Sequence, residues 1–269
     1  MTNTINQGNW AIRRWAPAAA AVLVILVVWQ IIAEVWFTNP SGKPGAIPPP
    51  TAVAARFAEN LLDPIYWGAL GATASSALLG FAIGMGIAIA LGVLVMLVPA
   101  LELFATRLGV VAACLPAAAI APLVVLLTPV GSRTVSVVLA TVSVLFPGIV
   151  GVLLGLKAAT SGQVDLIRAL GGSELTVVRK VRIVSSIPAV ISALKVGAPA
   201  SVLGAIVGEF FIVGVDSGTG LLLVALQYVG DYVGMWAVAV LCALTAAAGY
   251  LLVAVLGRLL APWTSHELA

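Results

Sequence analysis

Six stretches of this chain are apolar for long enough to cross a membrane. They cover residues 16–36, 70–98, 108–128, 133–156, 188–213 and 233–260. A hydrocarbon layer about 30 Å thick is crossed by about 20 helical residues rising about 1.5 Å each. Inside that layer every backbone N–H and C=O must find a partner within its own segment, so each run predicts a transmembrane helix. The expected fold class is an all-α membrane protein with six transmembrane helices. Composition removes the alternative of a soluble core. The chain is 62% hydrophobic and 9% charged with a mean hydropathy of +1.17, whereas a soluble domain carries about 25% charged residues. The net charge of +3 and the pI near 9.1 do not point to nucleic acid, because the basic residues are scattered between apolar runs instead of gathered on one face.

The segments between the runs are polar and carry the organisation. Residues 1–15 form an N-terminal segment ending in Arg13, Arg14 and Trp15, an interfacial anchor for the helix at 16–36. That run is too long for a signal-peptide core and lacks a small-residue cleavage site, so it is read as retained. Residues 37–66 hold Pro40, Gly42, Pro44, Gly45 and Pro48, Pro49 and Pro50, the composition of an extramembrane loop with a short helix from Thr51. The core spans 67–263 and a tail occupies 264–269. Residues 157–187 contain Asp165, Arg168, Glu174, Arg179, Lys180 and Arg182, and each charge at mid-bilayer would cost about 2.5–3.5 kcal/mol. That segment belongs in water.

The basic residues also orient the chain. With the N-terminus cytoplasmic, Arg13, Arg14, Arg107, Lys157, Arg168, Arg179, Lys180, Arg182, Lys195 and Arg258 fall on the inside, and only Lys43, Arg56 and Arg133 on the outside. The asymmetry predicts both termini and the loop 157–187 in the cytoplasm, and the proline-rich loop outside.

The cytoplasmic loop reads QVDLIRALGGSELTVVRKVRIVSSIP over 163–188. Asp165 through Leu170 suit a short helix, Gly171 and Gly172 break it, Ser173 is the next N-cap, and Glu174 through Arg182 resume helix. A bent two-helix element results, apolar on one side and charged on the other. This loop resembles the EAA loop of ATP-binding-cassette importer permeases. Asp165 stands at the Glu position, Leu166 and Ile167 at the two Ala positions, Gly171 at the glycine and Pro188 at the closing proline; Val184 replaces the earlier proline. The similarity runs from Pro48-Pro49-Pro50-Thr51 to Trp263. Its landmarks are Thr73, Gly80-Phe81, LPAAAIAPLVVLLTPVG, Phe146-Pro147, Gly208-Glu209 and the run 218–222, as in permeases for taurine, alkanesulfonates, nitrate and pyrimidine precursors.

The resemblance implies a type I importer permease in the cell (inner) membrane. Its partners would be a cytoplasmic ATP-binding-cassette ATPase dimer, an external solute-binding protein, surrounding lipid and a second permease subunit, most simply the same chain in a C2 homodimer. It implies that Asp165, Arg168, Ala169, Leu170, Gly171, Ser173, Leu175 and Val178 couple to the ATPase, and that Gly171 gives the bend. It implies small-solute import by alternating access, an organic sulfonate leading, with nitrate or a pyrimidine precursor behind. No GxxxxGK[ST] phosphate loop occurs, Gly42-Lys43-Pro44 being only a fragment, so ATP and its Mg are expected on the separate ATPase and no cofactor on this chain.

Within the runs, Pro116 and Pro122 free backbone carbonyls that either line the solute pathway or mark a kinked packing helix. Gly80, Gly84, Gly86 and Gly92 predict close helix contact. Glu209 is either a functional intramembrane acid or an interfacial carboxylate capped by water or backbone. Arg133 is either an attractor for anionic cargo or an interfacial anchor. Trp236 and Trp263 suit membrane boundaries, and Cys114 and Cys242 small packing positions. Three other classes fit less well. Ser217 would need a buried histidine to act as a protease nucleophile, and the single His266 lies in the tail; an aquaporin-type pore needs two Asn-Pro-Ala motifs, and Asn39-Pro40 stands alone in a loop. A proton-coupled carrier would hold mid-membrane acids, whereas Glu34, Glu209 and Asp231 lie toward the ends of runs.

Overall fold

The computed structural model describes residues 6–38, 44–212 and 214–264, with side chains from 16 to 263. Residues 1–5, Lys43 with its neighbours at 39–43 and His266 with the rest of 265–269 lie outside the described residues, as do the side chains of Arg13, Arg14 and Trp15. Among the described residues the regular elements are helical. Five helices are long and apolar enough to cross a membrane, or up to six if one bent pair is counted as a single span.

In chain order they are α1 (Asn6–Trp36), α2 (Pro50–Asn60), α3 (Pro64–Leu97), α4 (Glu102–Cys114), α5 (Ala117–Leu127), α6 (Thr134–Leu156), α7 (Ser161–Ala169), α8 (Glu174–Val177), α9 (Ile183–Glu209), α10 (Thr219–Tyr228) and α11 (Tyr232–Leu260). The expected runs correspond to α1, α3, α6, α9 and α11. The run at 108–128 is not one continuous helix but a bent pair, a sixth span if its two halves are counted together. It breaks after Cys114 into α4 and α5, which meet at 93°. Leu115 precedes a proline and takes an extended conformation, ψ 113°, and Pro116 has no N–H with which to continue the ladder. At 11 residues α5 is about 16 Å long, too short to cross alone. Cys114, expected as a packing residue, is exposed beside this break, while Cys242 is half-buried against the core.

The chain divides into two compact units. The larger, 64–224 with 241–269, is built on α3, α6 and α9. Small residues let these three approach. A Cβ on Gly84 would sit 2.9 Å from the Thr141 carbonyl oxygen and one on Gly204 2.6 Å from that of Leu139; a Cβ on Gly80 would collide with Ala140, whereas Gly86 faces open space. Of Gly80, Gly84, Gly86 and Gly92, three are therefore contact surfaces, since Gly92 is likewise closed by Val152. Around them Met85, Val144, Ala193, Leu139, Ile149 and Val152 are buried.

The smaller unit comprises 1–63 and 225–240. Here α2 forms as expected, its first residue Pro50 needing no N–H partner. Gln30 donates to Glu34 Oε1 at 2.6 Å and to Thr51 Oγ1 at 3.2 Å. Arg56 meets Asp231 at 2.8 Å, and Asp231 caps α11 by accepting from the Gly234 N–H at 2.9 Å. Trp236, read as a boundary residue, packs on Trp29 with ring centroids 5.1 Å apart and donates its indole N–H to the Ala46 carbonyl at 3.1 Å. The proline-rich loop is thus fastened to the start of α11.

Candidate functional site

Two polar sites stand at opposite ends of α9. The first is the charged segment between α6 and α9. Thr160 and Gln163 form a reciprocal capping box that starts α7. The helix stops at Leu170, where Gly171 turns the chain with φ +77°, a left-handed conformation in which a side chain costs about 1–2 kcal/mol. Ser173 then accepts from the Thr176 N–H and starts α8. The bend and cap therefore lie where the glycines and serine place them. Beyond Ser173 the structure differs from a free two-helix element: α8, a π turn over Val178–Arg182 and α9 run on as one helix, so the segment's second half is the root of a span.

Of the residues assigned to coupling, Asp165, Arg168, Ala169, Leu170, Gly171, Ser173 and Leu175 are exposed, whereas Val178 is half-buried with Val177 fully buried beside it. Arg168 joins the two arms of the bend, its Nε donating to Glu174 Oε1 at 2.9 Å and its Nη1 lying 3.9 Å from Asp165. The unexpected feature is apolar. Leu166, Leu170 and Leu175 are 60%, 76% and 65% exposed on an element too charged for lipid. Beside it a groove of about 430 Å³ is lined by Glu102, Lys157, Asp165 and Arg168, and Lys157 Nζ lies 2.5 Å from Glu102 Oε1.

The second site is centred on Glu209, the last residue of α9, which is fully buried. Thr73 on α3 donates its hydroxyl to Glu209 Oε1 at 2.9 Å, with Oε2 at 3.0 Å. The Gly220 N–H donates to Oε2 at 2.7 Å, and the Thr219 N–H to Thr73 Oγ1 at 2.8 Å. Arg133, at the start of α6, places Nη1 3.4 Å from Oε1 and donates Nη2 to the Ser217 carbonyl. A buried carboxylate is tolerable only when paired and hydrogen-bonded, and this one is both.

Glycines make the approach possible: a Cβ on Gly218 would sit 2.7 Å from the carboxyl carbon, and one on Gly220 2.8 Å from Glu209 Cβ. The Glu209 carboxylate is thus capped by backbone, through the Gly220 N–H, as well as by the Thr73 hydroxyl. Arg133, weighed as an anion attractor or a membrane anchor, has its charge compensated by that acid. Thr73, Gly208-Glu209 and 218–222 are separate landmarks along the sequence, and the fold brings Thr73, Glu209 and 218–220 to one point. Pro116 and Pro122 do not join this cluster. Pro116 is the residue before α5, and Pro122 sits within it, removing the N–H that would bond to the Ala118 carbonyl.

Comparison with known proteins agrees with this architecture. Residues 80–266 match the family described as "Binding-protein-dependent transport system inner membrane component". The formylaminopyrimidine transport permease protein ThiX of Halalkalibacterium halodurans is 26% identical over 247 residues, 91% of this chain and 94% of that one. The riboflavin transport system permease protein RibX of Chloroflexus aurantiacus is 27% identical over 243 residues, 90% and 88% of the two chains. The putative aliphatic sulfonates transport permease protein SsuC of Bacillus subtilis is 23% identical over 210 residues, covering 78% and 73%.

Proposed function

Because the chain belongs to the family of binding-protein-dependent transport system inner membrane components, we propose that a separate ATPase docks on the segment 157–187 and drives import of a small organic solute through two copies of this permease. Family membership makes the chain a multi-pass protein of the cell membrane and the permease subunit of an ATP-binding-cassette importer. The observation that carries the docking reading is the exposure of three leucines, Leu166, Leu170 and Leu175, on a capped and charged bend. Burying one such leucine against a partner contributes about 1.5–3 kcal/mol. The ATPase side would be cytoplasmic, with both termini, and would hold the ATP and Mg. An external binding protein would deliver the solute at the other face.

For the cargo we place a nitrogen heterocycle of the formylaminopyrimidine or riboflavin kind ahead of the sulfonate expected from the sequence. Two relatives that align over about nine-tenths of this chain, at 26% and 27% identity, carry those solutes in their names. The compensation of Arg133 by Glu209 further weakens the argument for an anion. Uptake of labelled formylaminopyrimidine and of labelled taurine, each measured with the cognate binding protein and ATPase, tests the order. Heterocycle uptake without taurine uptake supports it, and the converse overturns it. A proton-coupled carrier is the second reading. Against it, Glu34, Glu209 and Asp231 each have a hydrogen-bonding partner within the fold. Uptake that survives a protonophore and stops without ATP rejects that reading.

A further inference from the structure

The docking segment and Glu209 are the two ends of one helix. From Glu174 to Glu209 the chain is helical for 36 residues, about 54 Å. At the far end Glu209 does for α10 what a cap residue does for its own helix. Gly218, the residue before α10, has no side chain to offer. The first two N–H groups of α10 are taken by groups from elsewhere, Thr219 by Thr73 of α3 and Gly220 by Glu209 of α9, before the backbone supplies Leu222 N–H to Gly218 C=O at 2.9 Å.

A carboxylate at the end of α9 is unfavourable for that helix and favourable for the start of α10. Its position is therefore good only while the two ends meet. Arg133 adds Ser217 and the start of α6 to the same point. Nearby, Gly131 and Gly214, with φ +81° and +79°, bring the loops before α6 and before α10 into backbone contact, a Cβ on Gly131 sitting 3.1 Å from the Gly214 oxygen.

We infer that Glu209 is a latch carried by α9: its carboxylate holds the first turn of α10 and the loop before it against α3 and α6, and displacement of α9 at the docking end releases them. The drive rests on the reading of 157–187 as the ATPase seat; the latch rests on the cluster alone. A shift of the helix by about an ångström or two is the size of sliding that packed helices show. Such a shift stretches the Gly220 and Arg133 contacts beyond hydrogen-bond length. A buried charge has no good intermediate position, so the cluster is made or broken as a unit.

Hydrogen exchange of the full chain in lipid nanodiscs, read at the amides of Thr219, Gly220 and Leu222, tests both parts. Glu209→Ala is expected to speed these amides about tenfold while those of 139–152 in α6 stay as in wild type. Unchanged exchange at 219–222 in a folded variant overturns the latch. If Glu209→Ala does not fold, Thr73→Val serves instead and is expected to speed Thr219 selectively, with no selective change overturning the latch. Adding the partner ATPase trapped with ATP and vanadate is expected to give the same acceleration in wild type, relative to the ATPase without nucleotide. A bound, trapped ATPase that leaves 219–222 unchanged overturns the release. An ATPase that does not bind at all removes the seat, and with it the drive, while the variants alone still decide the latch.

Discussion

Thr73 and Glu209 stand 136 positions apart in sequence and 2.9 Å apart in the fold, the hydroxyl of one donating to the buried carboxylate of the other. The relationship ranks the substitutions at this point. Thr73→Val removes a hydrogen bond to a charged group and should lower stability by about 1.5–3 kcal/mol. Glu209→Ala leaves Arg133 without its partner and should cost about 3–5 kcal/mol. Glu209→Gln keeps an acceptor for the Gly220 N–H and should fall between them. Thermal unfolding of the detergent-solubilised protein gives the order.

Removal of both charges should be milder than removal of one. In Arg133→Met with Glu209→Gln no buried charge is left alone, so the double variant should be more stable than the sum of the single losses by about 0.5–3 kcal/mol. A double-mutant cycle on the same unfolding signal measures the difference. Additive losses would mean that Arg133 and Glu209 do not act as a pair.

The glycines divide into those that touch and those that do not. Gly218→Ala puts a Cβ against the Glu209 carboxyl group and should destabilise by about 1–3 kcal/mol through overpacking. Gly86→Ala, in the interior of α3 with nothing within 4 Å, should stabilise by about 0.5–1 kcal/mol through helix propensity. Melting temperatures moving in opposite directions are the expected result.

At the bend the constraint is conformational. A Cβ on Gly171 meets nothing within 4 Å, yet φ is +77°, so Gly171→Val strains the turn without a clash. The variant should reach the membrane in normal amount and lose ATP-driven uptake, while Gly171→Asn should retain part of it because asparagine tolerates this conformation. Immunoblots of membrane fractions alongside uptake assays separate insertion from transport.

Five of the six expected runs become long helices, because in hydrocarbon length and apolarity decide what can span, although α1 begins earlier, at Asn6, and the helix of the fifth run extends back to Glu174. The third does not, since Leu115 before Pro116 creates a break that hydropathy averages away. The bend at Gly171 and the cap at Ser173 were legible, because a positive φ and a short polar side chain are local requirements. The short helix α10 was not read at all. Its start depends on Thr73 and Glu209, and no signal near position 219 announces a cap supplied from the far side of the bundle. The pairing of Arg133 with Glu209 was hidden for the same reason, as each residue has a plausible role alone at a membrane edge.

The central claim is that the segment 157–187 faces the compartment of a separate ATPase and seats it. Its most direct measurement is labelling of a single cysteine placed at Leu170, which is 76% exposed, in a chain with Cys114→Ser and Cys242→Ala. A membrane-impermeant maleimide is predicted to react in inverted vesicles but not in intact cells, and bound ATPase is predicted to block the reaction. Labelling from outside intact cells would contradict the account, as would labelling in inverted vesicles that the bound ATPase leaves unchanged.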